Sequence, residues 1–476
     1  MNPTVLIIFG ATGDLARRKL IPALARLFQR KALPPVFHVV AFSRRPLPTR
    51  QFQQMVRAMI HESTTLPATE RNAFLRLFTY VQGYFDEASG YETLAALLGK
   101  LDTKQNSCAN KLFHLAVPPQ YYKKIFEHLA HSGLSKACPP SHTAGGWTRV
   151  VVEKPFGRDL ATAQALDRLL GKLFNEEQIY RIDHYLGKET VQNLLAFRFS
   201  NAFLEPAWNR RHIERIDLRF WEREGVEDRG EFYDAIGALR DVGQNHLLQL
   251  LALFTMKNPG TFTAAAIRRE RVKILLALKR ITPKSMHRQT MRAQYAGFTE
   301  VPGVAAHSNT ETFFRIVTEL DDPNWTGVPI TMEGGKRLPE DNVEVAVTFR
   351  HHTPCLCPPE IGRHYQNVLR YRLRPTEGVV TSFWVKKPGA SMVIEEKELG
   401  FHYRHAYAPE EFIDAYEKLL LDAMAGDQTL FVSTTEVQAS WRFIDPIIRS
   451  WKREKNPPMI YPLQTLPTLP APTAPL

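Results

Sequence analysis

The chain has 476 residues, 44% of them hydrophobic and 23% charged; this composition excludes a mainly disordered protein, and at roughly 150 residues per domain it predicts two or three domains. Sixty-one Lys and Arg against 49 Asp and Glu leave a net charge of +12, which suits an anionic partner. The charges are scattered (Arg17-Arg18-Lys19, Arg44-Arg45, Arg210-Arg211, Arg268-Arg269) and form no continuous run with interleaved aromatics, so nucleic acid is not expected to bind.

No apolar run reaches the roughly 18 residues of a membrane span. The first residues lack the basic flank of a secretory signal, and four cysteines in this length make no disulfide framework. A soluble, cytoplasmic protein is expected.

In chain order, Val5–Phe9 reads as a buried strand. Gly10-Ala11-Thr12-Gly13-Asp14-Leu15-Ala16 follows it directly and leads to Arg17. A small-residue turn between a strand and a helix lets backbone N–H groups approach a pyrophosphate, and the helix start favours its charge. The spacing is G-x-x-G-x-x-A instead of G-x-G-x-x-G, so a plain strand-to-helix turn competes with this reading. Pro22 places the start of the main helix near itself, not at Asp14.

Val36–Phe42 is the second strand, and it runs into Ser43-Arg44-Arg45. A site for NAD usually offers an acid there to the ribose hydroxyls; two arginines suit a 2′-phosphate, hence NADP, with solvated surface cations as the alternative. Further strands at Lys111–Val117 and Arg149–Val152, with a helix at Tyr121–Leu129, give the alternation of a parallel sheet covered by helices. Glu153-Lys154-Pro155-Phe156-Gly157 then stands at a strand end, where open α/β sheets bind ligands.

Near residue 180 the texture changes. Arg181-Ile182-Asp183-His184-Tyr185-Leu186-Gly187-Lys188-Glu189 packs ionisable groups closely, and His184 and Lys188, four apart, suit one phosphate if the segment turns. A charged helix start is the alternative. A helix at Glu189–Phe199 precedes a strand at Ile213–Trp221 and one long helix at Asp234–Phe254. That helix carries His246 on an apolar face, the position of a core histidine or of a shielded general base. Extended stretches at Phe313–Glu319, Val343–Phe349, Gly378–Phe383 and Ser391–Ile394 lack intervening helices, so an antiparallel sheet and an α+β second domain are expected. The expected divisions are residues 1–182, 183–455 and a loose proline-rich tail, 456–476. His351-His352-Thr353-Pro354-Cys355-Leu356-Cys357 has no regular zinc spacing, and no metal is expected.

Together GATGDLA, EKPFG, RIDHYLGKE and RDVGQNHLLQLL resemble glucose 6-phosphate dehydrogenases of the bacterial type, and the resemblance runs from Val5 to about Trp451. It implies a Rossmann-like doubly wound α/β domain, then a larger α+β domain with a mainly antiparallel sheet. The implied reaction oxidises glucose 6-phosphate at C1 to the 6-phosphogluconolactone and reduces NADP, the first step of the oxidative pentose phosphate pathway. By the same resemblance His246 is the general base and Asp183 orients it. His184, Tyr185 and Lys188 hold the phosphate; Glu222, Asp241 and Lys336 bond the sugar; Lys154 touches substrate and cofactor. Gly10 to Arg17, Arg44 and Tyr122 contact the cofactor. A homo-oligomer, dimer or tetramer, is implied.

Competing readings are a catalytically impaired nucleotide-binding paralogue and a dehydrogenase preferring NAD or another hexose phosphate. The pattern also departs from the family. Asp341 stands where the family usually has a second cation near the phosphate, and Ala293 replaces a glycine. Asn342 and Ala346 miss the basic pattern of an additional structural NADP site, so none is expected.

Overall fold

The computed structural model describes residues 2–61, 66–105, 107–136, 145–351, 365–454 and 456–467. His352 to Cys357 lie outside the described residues. Among the described residues no helix is long and apolar enough to cross a membrane. The chain divides into two compact units, the first comprising Met1–Lys188, Thr263–Arg268 and Ile413–Val437, the second Glu189–Phe262, Arg269–Phe412 and Gln438–Leu476.

The first unit is built on a sheet of seven strands. β1 (Thr4–Phe9), β2 (Phe37–Ser43), β3 (Phe78–Gln82), β4 (Asn110–Leu115), β5 (Thr148–Val152) and β6 (Ile179–Ile182) run in the order β6-β5-β4-β1-β2-β3. All five pairings among them are parallel, while Phe431–Val432 adds antiparallel to β6. β1 is buried along its whole length, as a strand covered by helices on both faces must be. The order reverses between β1 and β4, the switch point at which doubly wound sheets open a crevice. The returning segment is held by Arg149, which donates to the Ala423 and Met424 carbonyls at 2.7 Å each. Arg181, fully buried, pairs with Asp167 and Glu176 at 2.9 and 3.0 Å. The cysteine count predicts no disulfide framework; Cys108, buried just ahead of β4, is nonetheless disulfide-bonded.

The second unit has a nine-stranded sheet. β7 (Ile213–Trp221), β8 (Thr290–Tyr295), β9 (Phe313–Thr318), β10 (Ile330–Gly335), β11 (Asn342–Phe349), β12 (Val368–Arg374), β13 (Gly378–Lys386) and β14 (Ile394–His402) lie in the order β14-β13-β12-β11-β7-β10-β9-β8. The pairings are antiparallel except β7 with β10 and β8 with Met459–Tyr461, which are parallel. That last strand corrects the reading of a loose tail. Tyr461 is buried, and its hydroxyl donates to the Lys336 carbonyl at 2.6 Å. The final strand of the meander is Ile394–His402 instead of the expected Ser391–Ile394.

The single helix expected over Asp234–Phe254 is three pieces. A helix over Gly230–Ala238 kinks at Gly237 (φ 76°, ψ 165°), a π-helical stretch covers Leu239–Leu247, and an α-helix follows over Leu248–Thr255. Apolar periodicity does not register a π stretch, because its side chains remain on one side while the winding widens. The Gly237 backbone angle lies where side chains are strained, and a Cβ there would meet Glu311 Oε1 at 2.5 Å. Every residue of Leu248–Thr255 is buried. Its C-terminal carbonyls are taken by Arg198, 2.7 Å from Phe254 O and 2.8 Å from Met256 O, a cation where the helix dipole favours one.

Candidate active site

The candidate residues fall into both units, and each half is built separately. In the first, Gly10 leaves β1 with φ +81°, and a Cβ there would collide with the Ala116 carbonyl at 2.4 Å. The turn therefore requires glycine to sit down on the exit of β4. Gly13 N–H bonds Gly10 O at 2.8 Å, and Thr12 Oγ1 lies 2.8 Å from Ser43 Oγ at the end of β2. Ala11 and Ala16 are buried, Leu15 partly so, and Asp14 is exposed with ion pairs to Arg17 at 3.1 Å and Arg18 at 2.7 Å. Helical winding begins at Asp14, against the expectation that Pro22 marks the start; it passes through a π stretch at Ala16–Leu20 and is α again from Ile21, with Pro22 in the first turn of that piece.

Arg44 and Arg45 are exposed, while the backbone they stand on is fixed by the Tyr80 hydroxyl, 2.5 Å from Arg45 O. A glycine turn, a helix start and two cations at the end of β2 are the elements with which such a fold can hold a dinucleotide. Tyr122 is 1% exposed, and its hydroxyl is committed to Glu153 O at 3.0 Å. Its placement is that of a buried prop under β5.

RIDHYLGKE spans the end of β6, a turn over residues 184–187, and Glu189, the first residue of the helix Glu189–Ser200. Asp183 Oδ1 accepts the Tyr185 N–H at 3.0 Å, Leu186 N–H returns to Asp183 O at 3.0 Å, and Lys188 N–H to Tyr185 O at 3.1 Å. Tyr185 is the common neighbour of the two cationic candidates. The Lys188 Nζ lies 4.3 Å from its ring centre, and the His184 ring 5.0 Å away. The His184 ring also lies nearly parallel to Tyr416 from helix Ala415–Ala425, at 6.4 Å. Asp183 is buried; His184 and Lys188 are half-buried, suited to meeting a soluble anion.

Lys154 follows β5 beside Glu153, whose buried carboxyl is hydrogen-bonded to the Tyr416 hydroxyl. Burial pushes that carboxyl up to about 8, with the Asp183 charge adding to the rise. Glu153 lies inside EKPFG, yet nothing in the sequence distinguishes it or Tyr416 from packing residues.

In the second unit the parallel pair β7–β10 sends two strand ends to one edge. Glu222 follows β7, Lys336 follows β10, and Lys336 Nζ reaches Glu222 Oε2 at 2.5 Å. Tyr233 is buried nearby, with Lys336 Nζ 5.8 Å from its ring centre. Burial, then the negative charges of Asp241 and Glu222, push its phenol well above the ordinary tyrosine value. Asp241 and His246 belong to the π stretch, whose winding brings both onto this edge of β7 and β10. His246 is 1% exposed and its ring stacks on Phe220 of β7 at 5.8 Å and 17°. Tyr233 was not singled out by its sequence context; its signal is a phenol placed among acids, which only the fold assembles. Asp341 accepts the Arg223 N–H at 3.0 Å just beyond Glu222.

Comparison with known proteins now bears on these halves. The profile for the glucose-6-phosphate dehydrogenase NAD binding domain matches residues 7–193, and that for the C-terminal domain of the same enzyme matches residues 195–469. The chain belongs to the glucose-6-phosphate dehydrogenase family. It is 39% identical to glucose-6-phosphate 1-dehydrogenase 2 of Mycobacterium tuberculosis, over 96% of this chain and 90% of that one. It is 38% identical to the glucose-6-phosphate 1-dehydrogenase of Chlamydia muridarum, over 95% and 91%. Among solved structures, a glucose-6-phosphate dehydrogenase in complex with glucose 6-phosphate superimposes with TM-score 0.88 at 33% identity, covering 98% of this chain and 96% of that one. The Mycobacterium avium enzyme does so with TM-score 0.83 at 31% identity, covering 98% and 94%. The match to the nucleotide domain covers most of the Rossmann-like sheet and the match to the C-terminal domain covers the mainly antiparallel sheet, while Thr263–Arg268 and Ile413–Val437 of the first unit fall within the C-terminal match.

Proposed function

We propose that this chain oxidises D-glucose 6-phosphate at C1 to 6-phospho-D-glucono-1,5-lactone with NADP as hydride acceptor. The observation that carries the reading is the paired ends of β7 and β10, where Glu222, Lys336 and the His246 stretch converge, in a chain that matches the family across both of its domains.

His246 takes the proton of the C1 hydroxyl as positive character develops at C1; a positioned base of this kind contributes typically about 10²–10⁴-fold. Its stacking on Phe220 fixes the ring plane. Asp183 orients the imidazole and stabilises its charged form, a role supported by the family resemblance. Lys188, His184 and Tyr185 hold the phosphate, and that distant grip is spent on orientation at C1. Glu222, Asp241 and Lys336 bond the sugar hydroxyls, and Lys154 contacts both ligands. Gly10 to Arg17 and Tyr122 shape the dinucleotide site, and Arg44 takes the 2′-phosphate. When bound, the nicotinamide supplies the redox chemistry. The site uses no metal, and the basic balance of the chain serves two anionic ligands.

Retention of Asp183, His246, Lys154, His184 and Lys188 favours this reading over a catalytically impaired paralogue. The purified chain, given glucose 6-phosphate with NADP or NAD, is expected to develop reduced-nicotinamide absorbance, faster with NADP. No absorbance with either overturns the reading; a faster rate with NAD overturns the cofactor choice alone. A substrate that does not cross membranes supports a cytoplasmic place of work.

The chain further assembles as a homo-oligomer, a dimer or tetramer, through the β13–β14 end of the second sheet. β14 is an edge strand, and beside it Phe197, Phe203, Leu204, Phe383, Leu399 and Phe401 line an apolar groove of about 1160 Å³. An open strand edge with an apolar face calls for a covering partner, and a second copy supplies the same surface. Light scattering is expected to give at least twice the monomer mass, with Leu399→Lys reducing it to one; a monomeric wild type overturns the assignment.

A further inference from the structure

Two titratable side chains are buried at the exits of β4 and β5, and the reaction described above uses neither. His114 is fully buried, and both of its ring nitrogens lack a hydrogen-bond partner. Glu153 is also buried, its Oε1 has no partner, and it lies 3.6 Å from His114 Nε2. That separation is just beyond a hydrogen bond, and a few tenths of an ångström closes it. A proton placed between the two atoms satisfies both of them.

The groups facing Glu153 come from every element around it. The Tyr416 hydroxyl, from Ala415–Ala425, is bonded to the carboxyl, and Asp183 presents a second carboxylate from the end of β6. The Tyr122 hydroxyl is taken by the Glu153 carbonyl at 3.0 Å. Lys154 is the next residue and the one cation among these neighbours. Two carboxylates in a shielded site do not both ionise cheaply. Burial also lowers the His114 imidazole to about 3, so the ring stays neutral and accepts a hydrogen bond from a proton that remains on the carboxyl.

We propose that Glu153 serves as a neutral acid whose proton is shared with His114, so that Lys154 and the His184–Lys188 turn meet the substrate without a second buried carboxylate charge beside that of Asp183. Glu153 is thus a positioning residue for binding. The proposal rests on the assignment of His184 and Lys188 to the sugar phosphate and of Lys154 to substrate and cofactor.

The sign follows from an acid whose value is raised to about 8. Below that pH Glu153 is neutral; above it a negative charge appears behind the phosphate grip and repels the dianion. The KM for glucose 6-phosphate, measured on the full chain with NADP, is expected to be at least about threefold higher at pH 9.5 than at pH 7. Glu153→Gln, which has no proton to lose, is expected to bring that ratio to about one. A wild-type ratio near one overturns the proposal and needs no variant to fold. An equal rise in Glu153→Gln also overturns it. Lys188→Ala at pH 7 tests the underlying reading separately: an unaltered KM removes the phosphate assignment itself, whereas a raised KM beside a flat wild-type profile removes the shared proton alone.

Discussion

Lys336 and Glu222 meet at 2.5 Å because β7 and β10 run parallel within a sheet whose other pairings are mostly antiparallel. An antiparallel partner would send one of the two residues to the far end. The Lys336 side chain is 5% exposed and that of Glu222 21%, so the pair is partly shielded from solvent and holds the proposed sugar-binding carboxylate in place. Lys336→Met removes the cation and leaves Glu222 poorly compensated. It is expected to destabilise the fold by about 1–3 kcal/mol and to raise the KM for glucose 6-phosphate at least about tenfold, the equivalent of 1.4 kcal/mol. Thermal melting and steady-state kinetics on the same sample check both effects. An unchanged KM removes Lys336 from the sugar site.

The proposed base can be separated from the binding groups. His246→Asn keeps a polar side chain on the Phe220 ring and removes the proton acceptor. Turnover is expected to fall about 10²–10⁴-fold, with glucose 6-phosphate affinity held within a small factor. Asp183→Asn is expected to lower turnover less, and the double variant to be no slower than His246→Asn alone, because groups acting as a unit are not additive. Multiplying losses in the double variant would show that the carboxylate works apart from the imidazole.

How much of this was legible in the sequence depends on the kind of signal each element leaves. β1, β2 and β5 are continuous apolar runs, and β7 was read over Ile213–Trp221 as observed. The Gly10 turn was also readable, since it needs a missing side chain, whereas Pro22 misplaced the helix start, because a proline fits within an already wound helix once the π stretch precedes it. The π stretch at Leu239–Leu247 was not, because its apolar residues keep a helix-like spacing while the hydrogen bonds shift. Gly237 stood in the sequence as an ordinary helical glycine until Glu311 was found beneath it. Met459–Tyr461 is three residues flanked by prolines, too short for any period, and its strand identity comes from β8. The return of Ile413–Val437 to the first unit has no local signature either; it is recorded in long-range bonds such as Arg149 to Ala423. Arg181 shows the converse: a charge in a strand reads as surface, and its burial depends on Asp167 and Glu176 meeting it.

Arg44 is the residue on which the proposed cofactor choice can be tested. Its backbone is held through Tyr80 at the next residue, while its side chain is exposed at the end of β2. A guanidinium pairs with a phosphate through charge-assisted bonds that a ribose hydroxyl does not match. Arg44→Ala is therefore expected to weaken NADP binding about tenfold or more and NAD binding by less than about twofold. Equal losses for the two dinucleotides would place recognition of the 2′-phosphate elsewhere, with Arg45 the next residue to change.

Asp341 tests the departure from the family pattern. A cation is usual at this position, but here the carboxylate accepts the Arg223 N–H at 3.0 Å, and Arg223 directly follows Glu222. The loop is thus organised around an acceptor, and the strand end that carries Glu222 is tied down by it. Asp341→Asn keeps an oxygen in place and is expected to leave the KM for glucose 6-phosphate within about twofold of the wild type. Asp341→Lys supplies the family's charge yet frees the Arg223 N–H, a loss of about 0.5–1 kcal/mol at this exposed position. Its KM is expected to rise about twofold to fivefold, because loosening Glu222 outweighs a distant solvated cation. A fall in KM for Asp341→Lys would mean that the phosphate lies within reach of this loop and that the tie to Arg223 is dispensable.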